Sequence, residues 1–277
     1  MKLNYDDIDT TQVTYLEELG PIVIKDVYGY RPYSFKAFDT IIDIGANTGA
    51  SSLFTRTLFP HADIYTFEPN PRGYASCVKL RSLFERTRER NNGGKWEVYN
   101  LGLGDGNPVY LHQEQEGNTR AGIFEDYNKG QKPALGGVFI STDNNRDYDG
   151  EVLETMTFPD IIKMIDLDLS KNISLKIDCE CCESWLYTPE NIETLRNFRH
   201  IVGELHFPTD SGFNGFNSCP ICVSREAHKE ALSPMTDIFD LYYFSYSEGR
   251  GIEHFTLTRK EDNIELDHNT RWHNTTP

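Results

Sequence analysis

The sequence has no run of about 18 apolar residues, the length a helix needs to cross a bilayer. Its opening ten residues, Met1 to Thr10, are polar and acidic and carry no apolar stretch of the kind a secretory leader uses. These absences lead us to expect a soluble, non-secreted protein with a cytoplasmic location. On that reading the glycosylation-like tripeptides at Asn172 and Asn274 are chance matches. Positive charge is scarce as well: 27 Lys and Arg stand against 43 Asp and Glu, a formal net charge of −16. Such a balance opposes phosphate backbones and anionic bilayer surfaces, so neither nucleic acid nor membrane is an expected partner. The basic stretch from Lys79 to Arg90 reads as the solvated face of a helix. Cysteines are few and clustered (Cys77, Cys179, Cys181, Cys182, Cys219 and Cys222), unlike a disulfide framework spread along a chain. No internal repeat and no linker-like change of composition divides the 277 residues, a length suited to one elaborated domain.

What is present is organised around Thr40 to Ala50, T-I-I-D-I-G-A-N-T-G-A. Ile41, Ile42 and Ile44 are β-branched and apolar, as a strand covered on both faces requires. Gly45 and Gly49 allow a sharp turn and close approach of a ligand. Asn47 or Thr48 is placed to cap a helix beginning near Ala50. A strand running through such a turn into a helix is a common small-ligand site in α/β proteins. The middle glycine of a dinucleotide-binding G-x-G-x-x-G is missing, and Asp43 precedes the first glycine. A carboxylate there repels a pyrophosphate and attracts an ammonium group, which suits S-adenosylmethionine.

Downstream, strand patterns alternate with helical ones. Asp63 to Phe67 is a second strand, with Glu68 at its carboxyl end, where a carboxylate can accept hydrogen bonds from both hydroxyls of a ribose. Trp96–Leu101, Ile173–Asp178 and His200–His206 read as further strands, and Leu241–Tyr246 with His254–Thr258 as a closing pair. The expected fold is α/β, a mostly parallel central sheet with an antiparallel strand pair at its C-terminal end. The whole chain, 1–277, is expected to form one domain: an N-terminal extension over 1–38, a core over 39–260 with an insertion near 113–149, and a polar tail over 261–277. Within the extension, Tyr28, Tyr30 and Tyr33 suit either a flap over a ligand or an aromatic lid on the core.

Four segments come in a telling order: D-I-G-A-N-T-G (43–49), T-F-E-P-N-P (66–71), L-G-L-G-D-G (101–106) and L-K-I-D-C-E-C-C-E (175–183). In this the chain resembles FkbM-type S-adenosylmethionine-dependent methyltransferases, whose last block runs K-I-D-x-E-G-x-E; Cys181 stands where that pattern has glycine. The resemblance implies a Rossmann-like class I methyltransferase that O-methylates a hydroxyl of a sugar or natural product. It implies that Asp43, Gly45, Ala46, Asn47, Thr48 and Gly49 surround the methionine part of the cofactor, that Glu68 holds the ribose, and that Asp178 lies near the methyl group.

At the ends of the later strands, Asp178, Glu180 and His206 are the candidate catalytic residues, with His206 the best base by its intrinsic pKa. The same three suit a divalent Mg²⁺, Mn²⁺ or Fe²⁺ that binds acceptor oxygens. Cys179-x-x-Cys182 and Cys219-x-x-Cys222 have spacings compatible with a structural zinc, the alternative being reduced, unligated thiols. Two competing functions stay open: a non-catalytic Rossmann-like protein that binds a nucleoside or a partner, and an NAD-type oxidoreductase, which the missing glycine disfavours.

Overall fold

The computed structural model describes residues 26, 28–34, 36–87, 93–111, 140–141, 151–179, 182–206, 224–247 and 252–264. Seven strands form the central sheet: β1 (Thr40–Ile44), β2 (Asp63–Phe67), β3 (Trp96–Tyr99), β4 (Ile173–Ile177), β5 (His200–His206), β6 (Phe239–Ser247) and β7 (Ile252–Arg259). Their order across the sheet is β6-β7-β5-β4-β1-β2-β3. The five strands from β3 to β5 run parallel to one another. β7 runs antiparallel to both of its neighbours, β5 on one side and β6 on the other. The mostly parallel sheet with a closing antiparallel pair is therefore what forms. Strand order reverses between β1 and β4, which opens a crevice beyond their carboxyl ends.

The sheet lies in this plane because its central strands are apolar on both faces. All five residues of β1 are buried, as are all five of β4. Ile42 and Ile44 pack with Phe67, Leu175, Ile177 and Phe255 on one face, while Ile41 joins Tyr30, Phe54, Phe59 and Trp96 on the other. Helix α1 (Ala50–Leu58) follows β1 and presses Ala50 and Phe54 into that second layer. Arg56 of α1 is 1% exposed. Its guanidinium donates to carbonyls of the segments that lead into β2 and β3, at 3.1 Å from Pro60 O and 2.9 Å from Ala62 O, with Lys95 O a third acceptor. Helix α2 (Pro71–Thr87) leads from β2 toward β3. Helices α3 (Phe158–Met164) and α5 (Pro189–Leu195) each begin with a threonine, Thr157 and Thr188, whose side chain accepts from the backbone N–H three residues on. Between them the four-residue helix α4 (Glu183–Leu186) follows β4, and α6 (Arg225–Leu232) precedes β6.

The described part of the N-terminal extension is built into the core. Tyr30, Tyr33 and Phe38 are buried against Phe59 and His200, with ring centroids 4.8–6.1 Å apart. For Tyr30 and Tyr33, then, the aromatic lid on the core is the arrangement found. The expected insertion near 113–149 falls outside the described residues apart from Ile140–Ser141, and residues 265–277 of the tail fall outside them too. Among the described residues no helix is long and apolar enough to cross a membrane.

Candidate active site

The crevice is built from the ends of β1, β2 and β4. After Ile44 the chain turns through Gly45, Asn47 and Gly49, all at positive φ (76°, 51° and 87°). Gly45 N and Ala46 N donate to Phe67 O of β2 at 3.0 and 3.1 Å, and Asp178 N donates to Ile44 O at 3.0 Å, so the turn is stitched to both neighbours. A Cβ on Gly45 would lie 1.9 Å from the carbonyl oxygen of Asp178. Position 45 is therefore restricted to glycine by both its left-handed backbone and its space. Gly45→Ala is expected to lower stability by about 3 kcal/mol or more, since two backbones must part; a fall in the urea midpoint checks it, and an unchanged midpoint would contradict this packing. The helix cap expected from Asn47 or Thr48 does not form. Gly49 itself is the N-cap of α1, with no side-chain hydrogen bond to the helix, because its left-handed conformation already turns the chain into the first turn.

Glu68 is 4% exposed. Its Oε2 accepts from Asn47 N at 2.7 Å and its Oε1 from Asn70 N at 2.8 Å. One carboxylate thus ties the turn after β1 to the turn after β2. Burial pushes its carboxyl up to about 7, against the opposing pull of those two N–H groups and of Lys176. Gly73 in α2 lets the helix sit against both, since a Cβ there would come 2.8 Å from Asn47 O and from Glu68 Cγ.

Asp43, 1% exposed, anchors the turn from beneath. Its Oδ2 accepts from Ser51 Oγ at 2.5 Å and Ser52 Oγ at 2.6 Å, and its Oδ1 lies 3.3 Å from Lys176 Nζ. The ammonium that its charge attracts is thus one of the chain's own. Lys176 Nζ also donates to Gly45 O at 2.6 Å and lies 3.7 Å from Asp178 Oδ2. Burial pulls the lysine's pKa down, but Asp43 and Asp178 outweigh it, so the ammonium is held charged. Our reading of the sequence passed over Lys176. The signal available was a lysine inside a strand whose other residues, Ile173, Ser174, Leu175 and Ile177, are all compatible with burial.

Asp178 directly follows β4, and Tyr28 from the N-terminal extension donates its hydroxyl to Asp178 Oδ2 at 3.0 Å. The turn residues Gly45 to Gly49, Glu68 and Asp178 thus meet at one crevice, with Asp43 below. Glu180 lies outside the described residues, and His206 is described only as the last backbone position of β5. Cys179 and Cys182 are joined as a disulfide, with Cα atoms 5.4 Å apart. That pairing differs from the zinc ligation and from the free thiols that the C-x-x-C spacing allows. Cys219 and Cys222, the other half of the expected zinc site, lie outside the described residues. Among the described residues, no three His, Cys, Asp or Glu side chains are grouped to hold a metal ion.

The model of the FkbM methyltransferase domain matches residues 43–237, from Asp43 beneath the turn to beyond α6. The chain belongs to the FkbM methyltransferase family. Its seven-stranded sheet, with β7 inserted antiparallel between β5 and β6, is accordingly the Rossmann-like class I methyltransferase sheet. Solved structures similar to this FkbM domain include methyltransferase FkbM from Methylobacillus flagellatus KT, at 11% identity and TM-score 0.46, covering 90% of this chain and 55% of that one. Another is precorrin-6y C5,15-methyltransferase from Geobacter metallireducens GS-15, at 10% identity and TM-score 0.41, covering 94% of this chain and 98% of that one. No curated protein sequence matches the chain. Tyr28 lies upstream of the family match, and Lys176, Asp178 and Glu68 lie within it.

Proposed function

We propose that this protein is an S-adenosylmethionine-dependent O-methyltransferase acting on a hydroxyl of a small molecule, a sugar or natural product. The observation that carries the reading is the pairing of Glu68 with the glycine turn. A buried carboxylate at the end of β2 faces, across 2.7 Å, the backbone N–H of a turn whose Gly45 has no room for a side chain. A nucleoside fits this cradle. Glu68 uses one acceptor site on each oxygen for Asn47 and Asn70, and a carboxylate offers about four, so two ribose hydroxyls can still donate to it. In this reading Gly45, Ala46, Asn47, Thr48 and Gly49 bind the methionine part, and Asp43 supports them from below.

When bound, S-adenosylmethionine supplies a methyl group activated by its sulfonium. The chain's part is alignment and proton removal. Asp178 orients the acceptor hydroxyl, His206 at the end of β5 takes its proton, and Glu180 is the further candidate catalytic carboxylate. A positioned base contributes typically about 10² to 10⁴-fold to rate. The net charge of −16 favours a small neutral or cationic acceptor over a nucleic acid.

Calorimetric titration with S-adenosylmethionine is expected to show saturable one-to-one binding. Incubation with the methyl-labelled cofactor and a panel of hydroxylated sugars and natural products is expected to leave label in a base-stable ether. Absence of binding sinks the proposal, and label found only in nucleic acid or in a base-labile ester moves the chemistry away from small-molecule hydroxyls.

A further inference from the structure

We infer that Tyr28 is a positioning residue for Asp178, so that the segment preceding β1 is part of the active site. This inference rests on the proposed place of Asp178 beside the methyl group. Tyr28 lies outside the stretch that matches the family model, so the match assigns it nothing. Three observations carry the inference.

The first is that Tyr28 is held rigidly. Asp26 folds back on the chain, its Oδ1 accepting from Tyr30 N at 2.8 Å and its Oδ2 from Arg31 N at 2.9 Å, while its carbonyl accepts from Gly29 N at 2.8 Å. Just beyond, Tyr30 and Tyr33 are buried in the aromatic cluster around His200. Tyr28 thus projects from a closed turn with an anchored far side.

The second is where it projects. The ring is 4% exposed and lies 5.6 Å from Lys176 Nζ, which approaches its face, and 5.9 Å from the His254 ring. Its hydroxyl reaches Asp178 Oδ2 at 3.0 Å, on the same oxygen that Lys176 Nζ approaches at 3.7 Å. A hydroxyl and an ammonium converging on one oxygen fix the orientation of the carboxylate more tightly than either alone. Packing alone does not explain the hydroxyl, since a phenylalanine ring would fill the same space.

The third is that the hydroxyl stays a donor. Burial raises its pKa well above the usual value, and the carboxylates of Asp178, Glu204 and Asp43 push it further the same way. His254 meets Glu204 at 3.4 Å beside it, so the titratable and charged groups facing Tyr28 among the described residues are Lys176, Asp43, Asp178, Glu204 and His254.

The test uses the full chain and S-adenosylmethionine carrying ¹³C in its methyl group, whose resonance in the bound state reports oxygen atoms close to that methyl. Tyr28→Phe keeps the ring and is expected to bind the cofactor within about threefold of the parent, which corresponds to under 1 kcal/mol. It is also expected to displace the bound methyl resonance. In an Asp178→Asn background the same change is expected to displace it no further, because Tyr28 acts only through that carboxylate. An unmoved resonance in Tyr28→Phe overturns the inference, as does a displacement of equal size in the Asp178→Asn protein. An unfolded Tyr28→Phe beside a folded Asp178→Asn marks the hydroxyl as structural and overturns it too. Failure of the parent protein to bind the cofactor at all removes the proposed function itself, and this inference with it.

Discussion

Replacing Glu68 with glutamine is expected to weaken S-adenosylmethionine binding roughly 100-fold, about 3 kcal/mol. The carboxylate serves two sets of donors. Asn47 N and Asn70 N approach it from the protein at 2.7 and 2.8 Å, and the ribose hydroxyls are proposed to approach it from the ligand. Glutamine keeps one oxygen and turns an NH₂ toward one of those backbone N–H groups, so a donor faces a donor. Each hydrogen bond to a charged group is worth roughly 1.5–3 kcal/mol, and more than one is lost or inverted. The parent protein should also show a dependence on pH that the variant lacks. Burial raises the Glu68 carboxyl to about 7, so in the free protein it is half protonated near neutrality. With four donors around it the liganded site requires the anion. Affinity should therefore be level above pH 7 and fall about tenfold per pH unit below it, with proton release on binding. Stability moves in the opposite sense. Since the pKa is raised from 4.5 to about 7 on folding, the folded chain retains a proton that the unfolded chain releases in this window. Stability contributed by Glu68 is full below pH 4.5 and declines as pH rises toward 7. Calorimetry and thermal melts over pH 5 to 8.5 read both slopes. A Glu68→Gln protein with the parent's affinity and the parent's pH profile would falsify the assignment.

How much of this was legible beforehand follows from how local each feature is. β1, β2 and β4 are short apolar runs between turns, and their burial on both faces is written in their own residues. Glu68 was legible because its importance depends on its place at a strand end, which the strand itself determines. The helix cap was misread because Asn47 and Thr48 are good capping residues in general, whereas the φ of 87° at Gly49 comes from the turn being stitched to β2. Lys176 was passed over, and Tyr28 was read only as part of a flap or lid without its partner, for a different reason. Asp43 lies 133 positions from Lys176 and Asp178 150 positions from Tyr28, and no local periodicity reports such a distance. For Cys179 and Cys182 the sequence left zinc ligands and unligated thiols open, because C-x-x-C spacing serves metals and disulfides alike; the pairing found is a disulfide.

The strongest effect on the fold itself is expected at Lys176. Its side chain is 4% exposed, and its ammonium stands between Asp43, at 3.3 Å, and Asp178, at 3.7 Å, while donating to Gly45 O. Lys176→Met fills the space with an unbranched apolar chain but leaves two carboxylates facing each other without the cation between them. Breaking a buried ion pair from one side costs about 3–5 kcal/mol, a large part of the roughly 5–15 kcal/mol that holds a typical domain together. A fall of that size in urea-derived stability is the expected result, and a change under about 1 kcal/mol would mean that the lysine is not buried as placed. Asp43→Asn should cost less, since Ser51 and Ser52 still donate to the remaining oxygen and Lys176 keeps Asp178 and Gly45 O. Combining Lys176→Met with Asp43→Asn removes cation and anion together, and should recover part of the loss relative to the sum of the two single changes. Cofactor binding should not recover with it. The ammonium is also what grips the carbonyl of Gly45, so a double variant that folds but cannot hold the turn separates the stability of the sheet from the shape of the site. Recovery of both together would instead place the role of Lys176 in stability alone.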